Sequence, residues 1–256
     1  KLLSDETFLI GPSRPDEMVG REKFMLSQPA VVIFYYLKKI LFPINLNVDP
    51  DVEVVTHLLS FSFIASIMMI AFIAYYLWKQ ESWRFYIFFL SWFLIILSPS
   101  SSIVTLHDLA AEHRVYLALP GVIFILSYGL FDILKNQKSG ILILCGLSLF
   151  LGALNIERNM AWKSELSLWR DTYKKSPGKL RPLINLARAH SIEGNNEEAV
   201  RLYEEALSKG SGVFVIQYNL GELYLKKGRV EEAILRFESA LQLKPEIPET
   251  CLENLI

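Results

Sequence analysis

Cysteine is scarce: the 256 residues contain two, Cys145 and Cys251. One lies in an apolar run and the other in a polar tail, so no disulfide framework is expected and the redox compartment stays open. A dominant charge is missing too. The net charge is -1 from 26 basic and 27 acidic residues, and no basic face stands out, which argues against a nucleic-acid partner. No glycine-rich phosphate loop, zinc-finger spacing or nucleophile elbow occurs, which removes the functions those motifs carry. The chain starts at Lys1 without a methionine and stops in mid-pattern at Ile256, so it reads as a fragment of a longer protein in which no signal peptide can be judged.

Apolar residues are abundant. They make up 52% of the chain, and the mean hydropathy is +0.31. They cluster, as in a membrane protein. Residues 1–23 are mixed and polar, with Gly11, Pro12, Pro15 and Gly20, and read as a loop. Phe24 to Phe42 is apolar and aromatic but carries Lys38 and Lys39, which predicts a helix lying in the interface with its lysines snorkelling. Four spans are expected, near Val54–Trp78, Trp83–Leu97, Val115–Leu134 and Gly140–Ile156. Gly140, Gly146 and Gly152 suit close helix approach in the last. The two short hairpins between spans carry Lys79, Arg84, Lys135 and Lys138, and the positive-inside rule places them in the cytoplasm. The domains expected are 1–53, a loop with the interfacial helix; 54–156, the membrane helices; and 157–256, a soluble helical region.

That last region repeats. NLARAHSIEGNNEEAVRLYEEAL and NLGELYLKKGRVEEAILRFESAL align at a spacing of 34 residues, with Gly194 on Gly228, Ala199 on Ala233, Tyr203 on Phe237 and Ala206 on Ala240. The period and the small residues resemble the tetratricopeptide repeat, so the fold class is all-α: membrane helices followed by an α-solenoid. Repeats are expected near 179–212 and 213–246, with a degenerate unit before them in which Trp169 stands at the Tyr203 position, and a truncated third after Pro245. Asn185 and Asn219 fall on the first helix of each unit, where side-chain amides suit a bound peptide's backbone, and Arg188 and Lys226 suit its acidic groups. The alternative is that all four are solvated groove residues without a dedicated ligand.

Between the second and third spans, Ser98 to Gly121 reads SPSSSIVTLHDLAAEHRVYLALPG. Pro99 and the serines stop one helix, and a short helix is expected to restart at Asp108 with Glu112 one turn on. The stretch is either a solvated connector or a surface site. In the second case Arg114 takes an anionic headgroup, since a guanidinium donates two parallel hydrogen bonds to phosphate, and Glu112 orients it. His107, Asp108, Glu112 and His113 include ligand types that suit zinc or manganese, but their spacing matches no metal motif, so no metal site is assigned and a divalent ion stays an alternative.

Taken with the repeats, SQPAVVIFYYLKKILFPINLNVDPD and AEHRVYL resemble the bacterial relatives of the transmembrane and tetratricopeptide-repeat-containing proteins, proposed O-mannosyltransferases with a type-C glycosyltransferase membrane fold. The resemblance spans nearly the whole chain. It implies a polyprenyl-phosphate sugar donor used on the non-cytoplasmic face of the cytoplasmic membrane, and a protein acceptor presented by or near the repeats. It also implies a catalytic acid in a loop N-terminal to this segment. On matching positions it puts Glu112 and Arg114 near the donor phosphate, with His113 and Tyr116 lining the same pocket and Gln28 and Asn47 as weaker candidates. No cofactor beyond that donor is expected, and membrane lipid is a further partner. The function this implies is the C-terminal part of a protein glycosyltransferase. A rival from another class is a membrane-anchored repeat scaffold that only binds proteins.

Overall fold

A computed structural model of the chain describes residues 19–99, 108–134, 137–210 and 214–243. The described residues are helical with connecting loops and fall into two compact units that divide at Met160 and Ala161.

The first unit holds five apolar helices: α1 (Arg21–Leu41), α2 (Phe61–Trp78), α3 (Trp83–Ser98), α4 (Leu119–Leu134) and α5 (Gln137–Ala161). Among the described residues three are long and apolar enough to cross a membrane: α1, α2 and the Lys138–Ala161 part of α5. The other two have 16 residues each, about 24 Å at ~1.5 Å per residue and short of the ~30 Å hydrocarbon core. Against the expected four spans plus an interfacial helix, three helices among the described residues reach spanning length by length and composition, and one of them is the segment read as interfacial. Much of α2 and α5 is exposed and apolar, Met68 and Leu149 among many, which suits a lipid surround and not water.

Inside α1, Val31–Leu37 form a π-helical stretch that begins two residues after Pro29. Proline offers no N–H, so the α ladder breaks there and the turn widens. The buried face of α1 (Phe24, Val31, Val32, Tyr36) packs on Phe93 and Leu97 at the end of α3, on Leu109 and Ala110, and on Val115 and Val122. Helix α1 therefore runs along the ends of α3 and α4 that the Ser98–Gly121 loop joins.

Two further expectations change. The second helix starts at Phe61 and not at Val54, because Ser60 caps it by accepting a hydrogen bond from the Phe63 N–H at 3.3 Å. Val55 instead gives its N–H to Ser27 Oγ at 2.8 Å, which ties the residues before α2 to α1. No helix restarts at Asp108. Residues 109–111 are non-helical and lead into a 3₁₀ turn, Glu112–Val115. The reason is tertiary: Leu109 gives its carbonyl to Gln28 and Ala111 its N–H to Tyr36, groups that a helix would have used. The serine run and His107 lie outside the described residues.

Only Gly140 of the three glycines in α5 meets a neighbour, the ring of Phe131; nothing lies within 4 Å of a Cβ at Gly146 or Gly152. The close crossing is between α3 and α4, where a Cβ on Gly121 would sit 2.7 Å from the Phe89 carbonyl oxygen. Backbone cannot yield as a side chain can. Gly121→Ala should therefore cost about 1–3 kcal/mol, read as an earlier thermal melt in detergent, with Gly152→Ala as the silent control. Equal melts for the two variants would mean that α3 and α4 do not cross there.

The second unit holds α6 (Glu165–Lys175), α7 (Leu180–Ile192), α8 (Asn196–Lys209), α9 (Phe214–Lys226) and α10 (Val230–Leu243). Ser164 caps α6 and Ser167 answers it in a reciprocal pair. Gly194 and Gly228 make the two interhelix turns at φ of 81° and 73°, a region that disfavours any Cβ. Ala199, Ala206, Ala233 and Ala240 are all buried. The first three lie with Tyr203 and Phe237 in a core shared with Leu183, Leu220 and Leu223. Helices α7 and α8 fall within 179–212, and α9 and α10 within 213–246. The stretch read as a third repeat is not among the described residues.

Candidate functional site

The centre of the site is Glu112. It sits at the first position of the 3₁₀ turn with its side chain 17% exposed. Oε1 accepts from the Asn47 N–H at 2.7 Å and from the Tyr35 hydroxyl at 3.2 Å. Oε2 faces Arg158 Nη2 at 3.8 Å. Three separate chain segments thus converge on one carboxylate: α1, the connection after it, and the end of α5. Burial pushes the Glu112 carboxyl above its ordinary range, opposed by the Asn47 N–H, Arg158, Tyr35 and Lys39. The π turn brings two consecutive tyrosines to this loop, since Tyr36 accepts the Ala111 N–H at 3.1 Å.

Beyond this polar head, a cleft of about 690 Å³ opens between α4 and α5. Leu119, Ile123 and Leu126 line it from α4, and Leu147, Leu151 and Leu154 from α5. Both sets recur at three- and four-residue spacing, so each is one face of its helix. The stripe on α5 continues through Asn155 to Arg158. At the same end lie Tyr35, Lys39, Glu112 and Tyr116. Lys39 is held by donating to the carbonyls of Ile44 at 2.6 Å and Asn45 at 2.8 Å, and it lies over the Tyr35 ring. An apolar trough with charge at one end is complementary to an amphiphile with a charged head.

The site residues expected from sequence divide. Glu112 and Tyr116 line the cleft; His113 and Arg114 do not. Arg114 turns the other way, its Nη2 donating to the Asp108 carbonyl at 2.9 Å. Gln28 is 4% exposed and donates to the Leu109 carbonyl at 3.2 Å. Asn47 acts through its backbone on Glu112, while its Oδ1 accepts the Asp49 N–H at 3.3 Å. Both brace the loop. The cations facing the cleft are Lys39, expected to snorkel, and Arg158, which lies past the expected end of the last span at Ile156. Their signal was there: Arg158 continues the apolar stripe of α5 at helical spacing. Among the described residues, no three His, Cys, Asp or Glu side chains converge as metal ligands.

In the repeat unit, Asn185 and Asn219 are 5% and 7% exposed. Their amides turn inward: Asn185 Nδ2 donates to the Arg181 carbonyl at 3.0 Å and Asn219 Nδ2 to the Tyr203 hydroxyl at 2.9 Å. Arg188 pairs with Glu165 at 2.7 Å and so ties α7 to α6. A second tie runs from the Tyr173 hydroxyl to Glu205 at 2.6 Å, with Lys209 on the same carboxylate at 2.9 Å. These bonds hold the Glu205 carboxyl below its ordinary range. Lys226, at the end of α9, is exposed.

Apolar helices of spanning length followed by paired antiparallel helices define the class: a membrane-compatible all-α chain with a helical repeat domain. Within it, residues 192–249 match the tetratricopeptide repeat family. Comparison with curated proteins gives no match. Tetratricopeptide repeats generally mediate protein–protein interaction.

Proposed function

We propose that the chain is the C-terminal part of a membrane glycosyltransferase that moves a sugar from a polyprenyl-phosphate donor to a protein, with the repeats holding the acceptor or a partner. The observation that carries this reading is the cleft between α4 and α5, mostly apolar along its length and lined at one end by Glu112, Tyr35 and Arg158. A lipid-linked sugar has that division of character. The sequence resemblance in AEHRVYL supports it, since Glu112 and Tyr116 of that motif both reach the cleft. The acceptor face of the repeats draws on Arg188 and Lys226, with Asn185 and Asn219 bracing the helices behind them.

The test is transfer of a radiolabelled sugar from a polyprenyl-phosphate donor to protein by the intact protein in proteoliposomes. Transfer is expected. Protein capture by the repeats with no transfer would favour the scaffold reading, which the repeat match by itself suits equally well.

The reading also fixes a topology in the cytoplasmic membrane: Lys79 and Lys138 in the cytoplasm, Glu165 and the repeats outside it. Cysteines placed at these three positions should react with an impermeant thiol reagent in intact cells only at 165. Labelling at 79 and 138 but not at 165 would invert it.

A further inference from the structure

Two cations, Lys39 and Arg158, line the polar end of the cleft and act on the same carboxylate, Glu112. The Arg158–Glu112 approach is 3.8 Å. That is a contact of charges, beyond hydrogen-bond length. A phosphate is the better partner for a guanidinium, because it can accept two parallel hydrogen bonds. Leu154, Leu151 and Leu147 continue from Arg158 along one face of α5, and the stripe from Ile143 to Arg158 is roughly 22 Å long at ~1.5 Å per residue. The cleft thus offers an extended hydrocarbon chain an apolar wall, and its phosphate a cationic end.

We propose that a single-chain lipid phosphate occupies this cleft with its chain between α4 and α5, and that its phosphate displaces Glu112 from Arg158 and is held there with Lys39. The inference deepens the reading above, since a lipid-linked donor belongs to this class, and it moves the phosphate from Arg114 to Arg158. It also assigns Glu112 a competing role: its carboxylate stands in the place that the anion would take. Lys39 is fixed by the Ile44 and Asn45 carbonyls, so its charge is in place before the ligand arrives. A lipid phosphate and free phosphate share the headgroup chemistry, and only the chain separates them.

The probe is dodecyl phosphate, with inorganic phosphate, dodecanol and phosphatidylglycerol as its comparison arms. Binding is measured to the chain in neutral nanodiscs by native mass spectrometry. Wild type should retain dodecyl phosphate over all three. Arg158→Gln should lose about tenfold in affinity, the scale of one charge-assisted bond, and Lys39→Gln should lose less. Glu112→Gln should gain about threefold or more, because it removes the competing charge while keeping an oxygen for Asn47 and Tyr35. Arg84→Gln, at the far hairpin, is the control and should bind as wild type. Because Arg158→Gln takes one cation away from the half-buried Glu112 and can unfold the unit, the double variant Glu112→Gln/Arg158→Gln is measured as well; it too should lose binding.

Unchanged binding by the double variant would overturn the cradle. So would tighter binding with Glu112 intact than with glutamine. Equal retention of inorganic phosphate would overturn the role of the chain, and equal retention of phosphatidylglycerol would reduce the cleft to a general lipid contact. Dodecyl phosphate carries no sugar, so binding can hold while transfer fails. Full transfer by Arg158→Gln would sink the cradle and leave the glycosyltransferase reading standing.

Discussion

Leucine at position 199 should melt the repeats locally. Ala199 is fully buried where α8 meets its neighbours, and the core around it contains Leu183, Tyr203 and Leu220. Three extra carbons have no void to enter, and overpacking of this kind costs about 1–3 kcal/mol. Ala233 stands one period later and is 1% exposed, so Ala233→Leu should behave alike. Gly221→Val should be worse than either, because a Cβ there would lie 2.7 Å from the Phe237 ring even before the branch is added. The measurement is hydrogen exchange of the α7–α10 amides in the whole chain. Protection should fall across all four helices, since each packs on the next. Unchanged protection in Ala199→Leu and Ala233→Leu would show that the 34-residue alignment places the wrong residues at the contacts.

Glu112→Ala should do the corresponding damage to the membrane-helix unit. The change removes the acceptor of the Asn47 N–H and of the Tyr35 hydroxyl, and the carboxylate that faces Arg158. Each unsatisfied buried group costs about 1–3 kcal/mol, and the lost Arg158–Glu112 attraction adds to that. A loss of several kcal/mol is expected, seen as a large drop in melting temperature in detergent. Glu112→Gln keeps an acceptor oxygen and should retain most of the stability. If the alanine and glutamine variants melt together near wild type, the carboxylate does not join the three segments.

The repeats were legible in the sequence because their physics is local. Glycine at a positive-φ turn and alanine at a helix crossing recur at a fixed spacing, and the structure has both. The two asparagines are equivalent by alignment while their partners differ. Asn219 bonds the Tyr203 hydroxyl in the preceding unit. One period upstream the corresponding residue is Trp169, which has no hydroxyl, so Asn185 turns back to its own helix at Arg181. The loop was legible as a polar centre but not in its detail. Nothing local in AEHRVYL says that Gln28 and Tyr36, far away in sequence, take the Leu109 carbonyl and the Ala111 N–H and so prevent a helix. Arg158 was hidden by a boundary: the apolar run was ended at Ile156, whereas the helix continues to Ala161 and carries the arginine to the mouth of the cleft.

The most direct test of the central claim is to locate the lipid on the chain. A photoactivatable polyprenyl-phosphate probe, crosslinked to the intact protein in native membranes and mapped by peptide sequencing, should mark the facing stripes of α4 and α5 between Leu119 and Leu130 and between Ile143 and Arg158. Unlabelled polyprenyl phosphate should compete the label away, and phosphatidylglycerol should not. Label spread evenly over the exposed apolar faces of α2 and α5, and insensitive to that competitor, would contradict a donor site in the cleft.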